Sequence, residues 1–333
     1  MNYIYINCGT TTSRGYLVRD GKPSGYVSKV VGTKDSSLSG GNDILLAGLR
    51  EIYDVLIDRN GLFERDIESV WISGMATSPF GITEIPHMTM PVNAQKMYDE
   101  SVTFYEESYF DRELRLLRGV KNVPDGTVVD LENIEYISSI RGEEIDIVGL
   151  LSSNYTPEGP FVVVAPSSHT QFCYVKDGAL TDILSSFTGE LRYALSRDTM
   201  LYGEQEHGDV ARTEQFVRKG CEYLRKYGFC RAVQIVHGAN TFGILSKAER
   251  TQILNGIITG SVTDLLAQHI SKKWTDVEEI VIFGGKPYIE AYQILLKDTL
   301  PSMPVRLITD INGNSFALSG FLELLKIEEN KTH

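Results

Sequence analysis

A hairpin that occurs twice constrains this chain more than any other feature. "YIYINCGTTTSRGYLVRDGK" (Tyr3 to Lys22) reads as apolar strand, hydroxyl-rich turn, apolar strand and polar turn. "FVVVAPSSHTQFCYVKDGAL" (Phe161 to Leu180) reads the same way. Aligning Gly21 with Gly178 sets an offset of 157 (178 less 21). At that offset Ile6 meets Val163, Thr10 meets Ser167, Thr11 meets Ser168 and Ser13 meets Thr170. Further along, Val18 meets Val175, Arg19 meets Lys176 and Asp20 meets Asp177. Any strand–turn–strand resembles another, but here both turns recur in register and each hairpin opens half of the chain. The repeat predicts two related domains facing each other across a cleft. Their bounds are set at 1–155 and 156–311, with 312–333 returning as a helix to the first. A chain of 333 residues is also long for one core.

The pattern between the hairpins is mixed. Strands are expected at 25–31 and 67–73 and a helix at 43–59 in the first half. The second half should carry a strand at 179–187 and then a helix opening on "TGEL", where Thr188 suits the cap and Glu190 the positive helix end. Helices at 212–226 and 247–272, a buried strand in "EEIVIFGG" (278–285), a strand at 305–309 and a helix at 315–327 complete the pattern. Strands alternating with helices imply α/β domains. Residues 86–133, rich in aromatic and charged residues, read as an irregular insertion or cap.

Charge and cysteines exclude several classes. A formal net charge of −12 argues against nucleic acid, which needs a basic stripe. It leaves room for a small anion held by local amides or a metal ion. The four cysteines form no C-x-x-C pair, which suits a reducing, cytoplasmic setting. No apolar run approaches eighteen residues and the start lacks a signal pattern, so neither membrane span nor signal peptide is expected.

Seven motifs in order resemble the 2-keto-3-deoxygalactonate kinases, members of the actin-like sugar kinase superfamily. They are "INCGTTTSRGYL", "SGMATSPFG", "IRGEEIDIVGL", "VVAPSSHTQF", "FTGELRYAL", "IFGGKPYIEAY" and "GNSFALSG". The resemblance implies two actin-like (ribonuclease H-like) domains and an ATP- and Mg²⁺-dependent kinase for a sugar acid, with a homodimer left open. It implies that the first hairpin meets the terminal phosphates through Gly9, Thr10 and Thr11, and that Ser167, Ser168, His169, Thr170 and Gln171 meet the inner ones. Small residues in such turns let the backbone approach an oxyanion. Gly284 and Gly285 match the adenosine motif. Arg14 would contact the transferring phosphoryl group or a substrate carboxylate. Glu143, at a helix start before the second hairpin, matches the position of the general base, with Glu144 as second candidate for catalysis or ligand contact. Arg141 suits the carboxylate of a sugar acid, while Met75, Ser78, Thr188 and Glu190 belong to the motifs expected around the substrate. His87, His207, His237 and His269 show no ligand spacing and read as structural or exposed.

Three positions depart from the family pattern. Asn7 stands where an aspartate holds Mg²⁺ through water, Gln171 where lysine is usual, and Asn314 where an aspartate is usual. Each removes a charge. Two functions therefore stand side by side: a kinase for 2-keto-3-deoxygalactonate or a relative, and a catalytically impaired actin-like protein that binds nucleotide or sugar acid as a sensor or scaffold.

Overall fold

The computed structural model describes residues 1–201, 213–284 and 289–332. The chain divides into two compact units. One comprises Met1–Thr156, Gly178–Ile183 and Asp310–His333, and the other Pro157–Asp177 and Leu184–Thr309.

The first unit is built on strands β1 (Asn2–Cys8), β2 (Ser13–Arg19), β3 (Lys22–Lys29) and β4 (Ile67–Gly74), with helices α1 (Thr33–Ser39) and α2 (Asp43–Arg59) between β3 and β4. Next come the short β5 (Met88–Thr89), helix α3 (Ala94–Asp99), β6 (Val102–Glu106), β7 (Arg112–Leu116), β8 (Val120–Lys121) and β9 (Ser139–Ile140). Helix α4 (Glu143–Leu151) ends the run. The main sheet has the order β3-β2-β1-β4-β7-β6, and β5, β8 and β9 form a small sheet apart. Alternation in β1 decides its two faces. Ile4 and Ile6 join Leu45, Leu49, Ile52 and Leu56 of α2 in one core. Tyr5 turns the other way and stacks on Phe321 at 4.6 Å between ring centroids. Phe321 belongs to the last helix, which also packs closely on α4.

The second sheet opens with β10 (Phe161–Pro166), β11 (Thr170–Lys176) and β12 (Ala179–Ser186), of which the residues up to Ile183 count with the first unit. Helices α5 (Gly189–Asp198), α6 (Thr213–Tyr227), α7 (Phe229–Thr241) and α8 (Lys247–Lys272) follow. Strand β13 (Glu279–Phe283), α9 (Ile289–Thr299) and β14 (Val305–Ile308) close it, and α10 (Phe316–Thr332) belongs to the first unit. The sheet order is β12-β11-β10-β13-β14. Val262, Leu266 and Ile270 of α8 cover it by packing on Val162, Phe172 and Ile280.

The first five strands in each sheet follow one plan: an antiparallel meander, then parallel strands beside its first member. The polar turns also match, since Asp20 and Gly21 have φ of 50° and 71°, and Asp177 and Gly178 have 52° and 71°. This is the left-handed pair that a two-residue hairpin turn requires.

Helices α2 and α8 have the bounds the periodicity predicts. Helices α1 and α7 are additional, the first being short and rich in serine, which competes with the helix backbone. The expected irregular stretch 86–133 supplies two strands of the main sheet. In β7, "RELRL" buries Leu114 and Leu116 while Arg115 lies over the Trp71 ring at 4.3 Å, so alternating charges conceal a real strand. The last helix continues past 327 to Thr332. His207 and the Gly285–Pro287 stretch lie outside the described residues.

Candidate active site

Each hydroxyl turn is held from behind by the start of a helix. In the first, Lys34 N donates to Thr10 O (2.9 Å) and Thr33 N to Gly9 O (3.3 Å). Gly9 N donates to Thr12 O, and the amides of Thr10 and Thr11 take no part in these bonds. A Cβ on Gly32 would lie 2.3 Å from Thr10 O, so only glycine permits this contact. In the second turn Ser167 N donates to His169 O (2.7 Å) and Glu190 N to Ser168 O (2.8 Å). A Cβ on Gly189 would lie 2.1 Å from Ser167 O. Gly32 and Gly189 stand at the same 157-residue offset as Thr10 and Ser167, so the backing contact is repeated along with the hairpin.

The hydroxyl pins are repeated too. Ser13 Oγ donates to Val31 O at 2.9 Å, while Thr170 Oγ1 bonds Thr188 Oγ1 at 2.7 Å and also meets the Tyr292 hydroxyl. Thr188 therefore spends its side chain on Thr170 and makes no cap bond to its own helix. His169 meets the Phe187 ring edge-on at 5.0 Å. Gly284, with φ 121°, ends β13 and donates to Ile308 O; Gly285 lies outside the described residues.

The acidic helix start comes to the end of the first hairpin. Asn7 is near the end of β1 and Gly74 (φ 78°) at the end of the adjacent parallel β4. A Cβ on Gly74 would lie 2.4 Å from Cys8 O and 3.2 Å from Asn7 Oδ1. Gly142, just before α4, abuts Gly74: its Cβ position is 3.5 Å from the Gly74 Cα. Glu143 is the first residue of α4 and is half-buried. Glu144 is 1% exposed; its Oε2 accepts from Gly142 N at 2.6 Å and its Oε1 has no partner. Burial, reinforced by the charge of Glu143, pushes the Glu144 carboxyl up to about 8. It is thus mostly protonated at neutral pH, whereas Glu143 heads the helix.

Arg141 is held inside the first unit rather than standing free. It donates to the Thr77 hydroxyl through Nη1, to Ile85 O through Nη2 (3.0 Å), and approaches His87 Nδ1 at 3.4 Å. Ser78, directly after the turn Met75–Thr77 that begins at half-buried Met75, is 3% exposed with its hydroxyl unpartnered. Arg14 is exposed and opens on a hollow of about 580 Å³ shared with Tyr16, Tyr26 and Asn314. The structure thus gathers Asn7, Glu143, Glu144 and Arg141 around the Gly74 corner, and Arg14 with Asn314. His87 is the residue that spacing missed, because its link to Arg141 spans 54 positions. Among the described residues no group of three or more His, Cys, Asp or Glu stands ready for a metal ion, and no helix is long and apolar enough to cross a membrane.

Two ribonuclease H-like sheets of this order define an actin-like fold. The family model of 2-keto-3-deoxy-galactonokinase matches residues 7–310, and the chain belongs to that family. A solved structure from Sinorhizobium meliloti, described as a candidate 2-dehydro-3-deoxygalactonokinase, superposes with a TM-score of 0.73 at 16% identity. The match covers 98% of this chain and 99% of that one. The activator of 2-hydroxyisocaproyl-CoA dehydratase from Clostridium difficile, with bound ADPNP, gives a TM-score of 0.48 at 13% identity, covering 100% and 96%. No curated protein matches the sequence.

Proposed function

We propose that this protein is an ATP-dependent kinase that phosphorylates a hydroxyl of 2-keto-3-deoxygalactonate or a close 2-keto-3-deoxy sugar acid. Family membership supports the class, and the corner of Asn7, Gly74 and Gly142 carries the reading. It brings an acidic helix start to a hairpin whose turn amides at Thr10 and Thr11 suit phosphate oxygens. Glu143 takes the proton of the attacking hydroxyl. The hydroxyl oxygen bonds to the γ-phosphorus as the bond to the β–γ bridging oxygen breaks, and ADP departs. Glu144 holds Gly142 N and so fixes the entry to α4. Arg14 supplies positive charge close to the hairpin.

Magnesium fits this donor set in one way. Asn7 offers one hard carbonyl oxygen, and among the described residues no acidic cluster accompanies it. A Mg²⁺ that keeps its waters and draws other oxygens from the triphosphate needs no more than that. When bound it neutralises charge on the phosphates, and Asn7 would accept from one of its waters.

Gln171 favours the second reading, an impaired binder, because it is buried at 6% exposure and offers no cation. ADP release measured over a panel of 2-keto-3-deoxy sugar acids separates the two. Turnover with at least one of them is expected, and Glu143→Gln should lower it by roughly 10² to 10⁴ with ATP affinity nearly unchanged. No turnover with any sugar acid would leave the binder; full turnover in Glu143→Gln would move the base elsewhere.

A further inference from the structure

His87 carries a donor that the proposed chemistry has not used. Arg141 can only donate, so the contact from its Nη2 fixes His87 Nδ1 as an acceptor. The neutral ring must then carry its proton on Nε2. That Nε2 makes no hydrogen bond to any described residue, and the side chain is half-buried. The ring is clamped in place. Arg118 donates to Pro86 O (2.8 Å) and His87 O (3.3 Å), and a Cβ on Gly119 would lie 2.8 Å from His87 Cδ2.

The electrostatics agree with one tautomer. Burial, then Arg141, Lys121 and Arg118, press the imidazole down to about 4, so it is neutral at physiological pH. Glu84 and Glu144 act on the Arg141 side of the cluster. Arg141 itself has no free fork. Both Nη2 contacts and one from Nη1 are engaged, leaving no parallel pair of N–H groups for a bidentate carboxylate. A carboxylate entering this cationic cluster meets an open donor at His87 instead.

Resting on the kinase reading above, we propose that His87 is a specificity-determining residue whose Nε2–H receives a carboxylate oxygen of the sugar acid, with Arg141 behind the ring fixing its tautomer. Protonating Nδ1 would break the contact from Arg141, so the ring donates in its neutral form and binding at this residue takes up no proton above about pH 5.

Two measurements test this. Long-range ¹⁵N–¹H spectra of the imidazoles, with His87 assigned by H87Q, read the tautomer in the full chain without nucleotide. The expected result is a neutral Nε2–H ring down to about pH 5, whose Nε2 signal moves on adding 2-keto-3-deoxygalactonate and not on adding galactose. An Nδ1–H tautomer, or a titration near pH 6.5, overturns the proposal whatever the enzyme's activity. In steady state, H87F should raise the sugar-acid KM about tenfold or more, by a similar factor at each pH above about 5. Its kcat should stay within about twofold and its KM for ATP should not change, while H87Q, which keeps a donor, recovers part of the loss. Turnover in the wild type with an unchanged KM in H87F removes His87 alone. A wild type that neither binds nor phosphorylates any sugar acid brings down the kinase reading and this inference with it.

Discussion

Arg14 and Gln171 occupy the same place in two copies of one hairpin, and the protein treats them oppositely. Both directly follow the hydroxyl residue that pins the turn, Ser13 in one copy and Thr170 in the other. Arg14 is exposed and opens on a hollow, whereas Gln171 is buried with its Oε1 unpartnered. The shared parts of the hairpins, including the glycine behind each turn, preserve backbone geometry. The unshared position decides which copy offers charge. The two copies thus share the backbone of the turn and differ in the side chain at its rim.

The largest expected effect tests that divergence. Arg14→Gln, which gives the first hairpin the side chain of the second, should lower kcat/KM by roughly 10² to 10³, as loss of one charged donor to a transferring group does. Gln171→Leu should change it by less than about tenfold. Steady-state kinetics on both variants check this, and equal losses would erase the distinction between the hairpins.

The shared cradle is tested next. Gly32→Ala and Gly189→Ala each place a methyl within 2.3 Å or 2.1 Å of a backbone oxygen. Each should cost about 1–3 kcal/mol of stability, read as a lower midpoint in denaturant. Should one copy tolerate alanine freely, the two turns are not held alike.

A smaller asymmetry lies in the hydroxyl pins. Thr170→Val removes the partner of the buried Thr188 hydroxyl and a contact to the Tyr292 hydroxyl, and should cost about 1–3 kcal/mol. Ser13→Ala removes the bond to the Val31 carbonyl and the weak one with the Cys8 thiol, and should cost about 1 kcal/mol. Thermal unfolding of the two variants would show whether the ranking is reversed.

The smallest effect is expected at Asn7. Asn7→Asp restores a carboxylate facing the waters of a Mg²⁺–nucleotide, so half-maximal Mg²⁺ in the ADP-release assay should fall a few-fold with turnover kept or raised. A variant slowed at every Mg²⁺ concentration would mean that Asn7 serves the hairpin through its amide rather than through the metal.

Much of the architecture is legible in the residues. The repeat at offset 157, the β1 alternation of isoleucine and tyrosine, and the periodicity of 43–59 and 247–272 follow from local pattern. Such patterns report which face of an element is apolar, and that is a property of neighbouring residues. Strands β6 and β7 were not legible, because the edge strand β6 half-exposes its residues and RELRL in β7 reads as surface. The motif RGEEID pointed to a helix start but could not separate its glutamates. Glu143 and Glu144 are adjacent in sequence, and only packing makes one buried and protonated while leaving the other at the helix mouth.

By itself the sequence determined two α/β halves, each opened by a hairpin with a hydroxyl-rich turn, and the membership of one family. Tertiary structure alone decided what each polar group can do. It set Gly142 against Gly74 and committed Arg141 to Thr77, Ile85 and His87. The reason is physical: charge state and donor direction depend on burial and on partners dozens of residues away, and neither is encoded in the spacing of a motif.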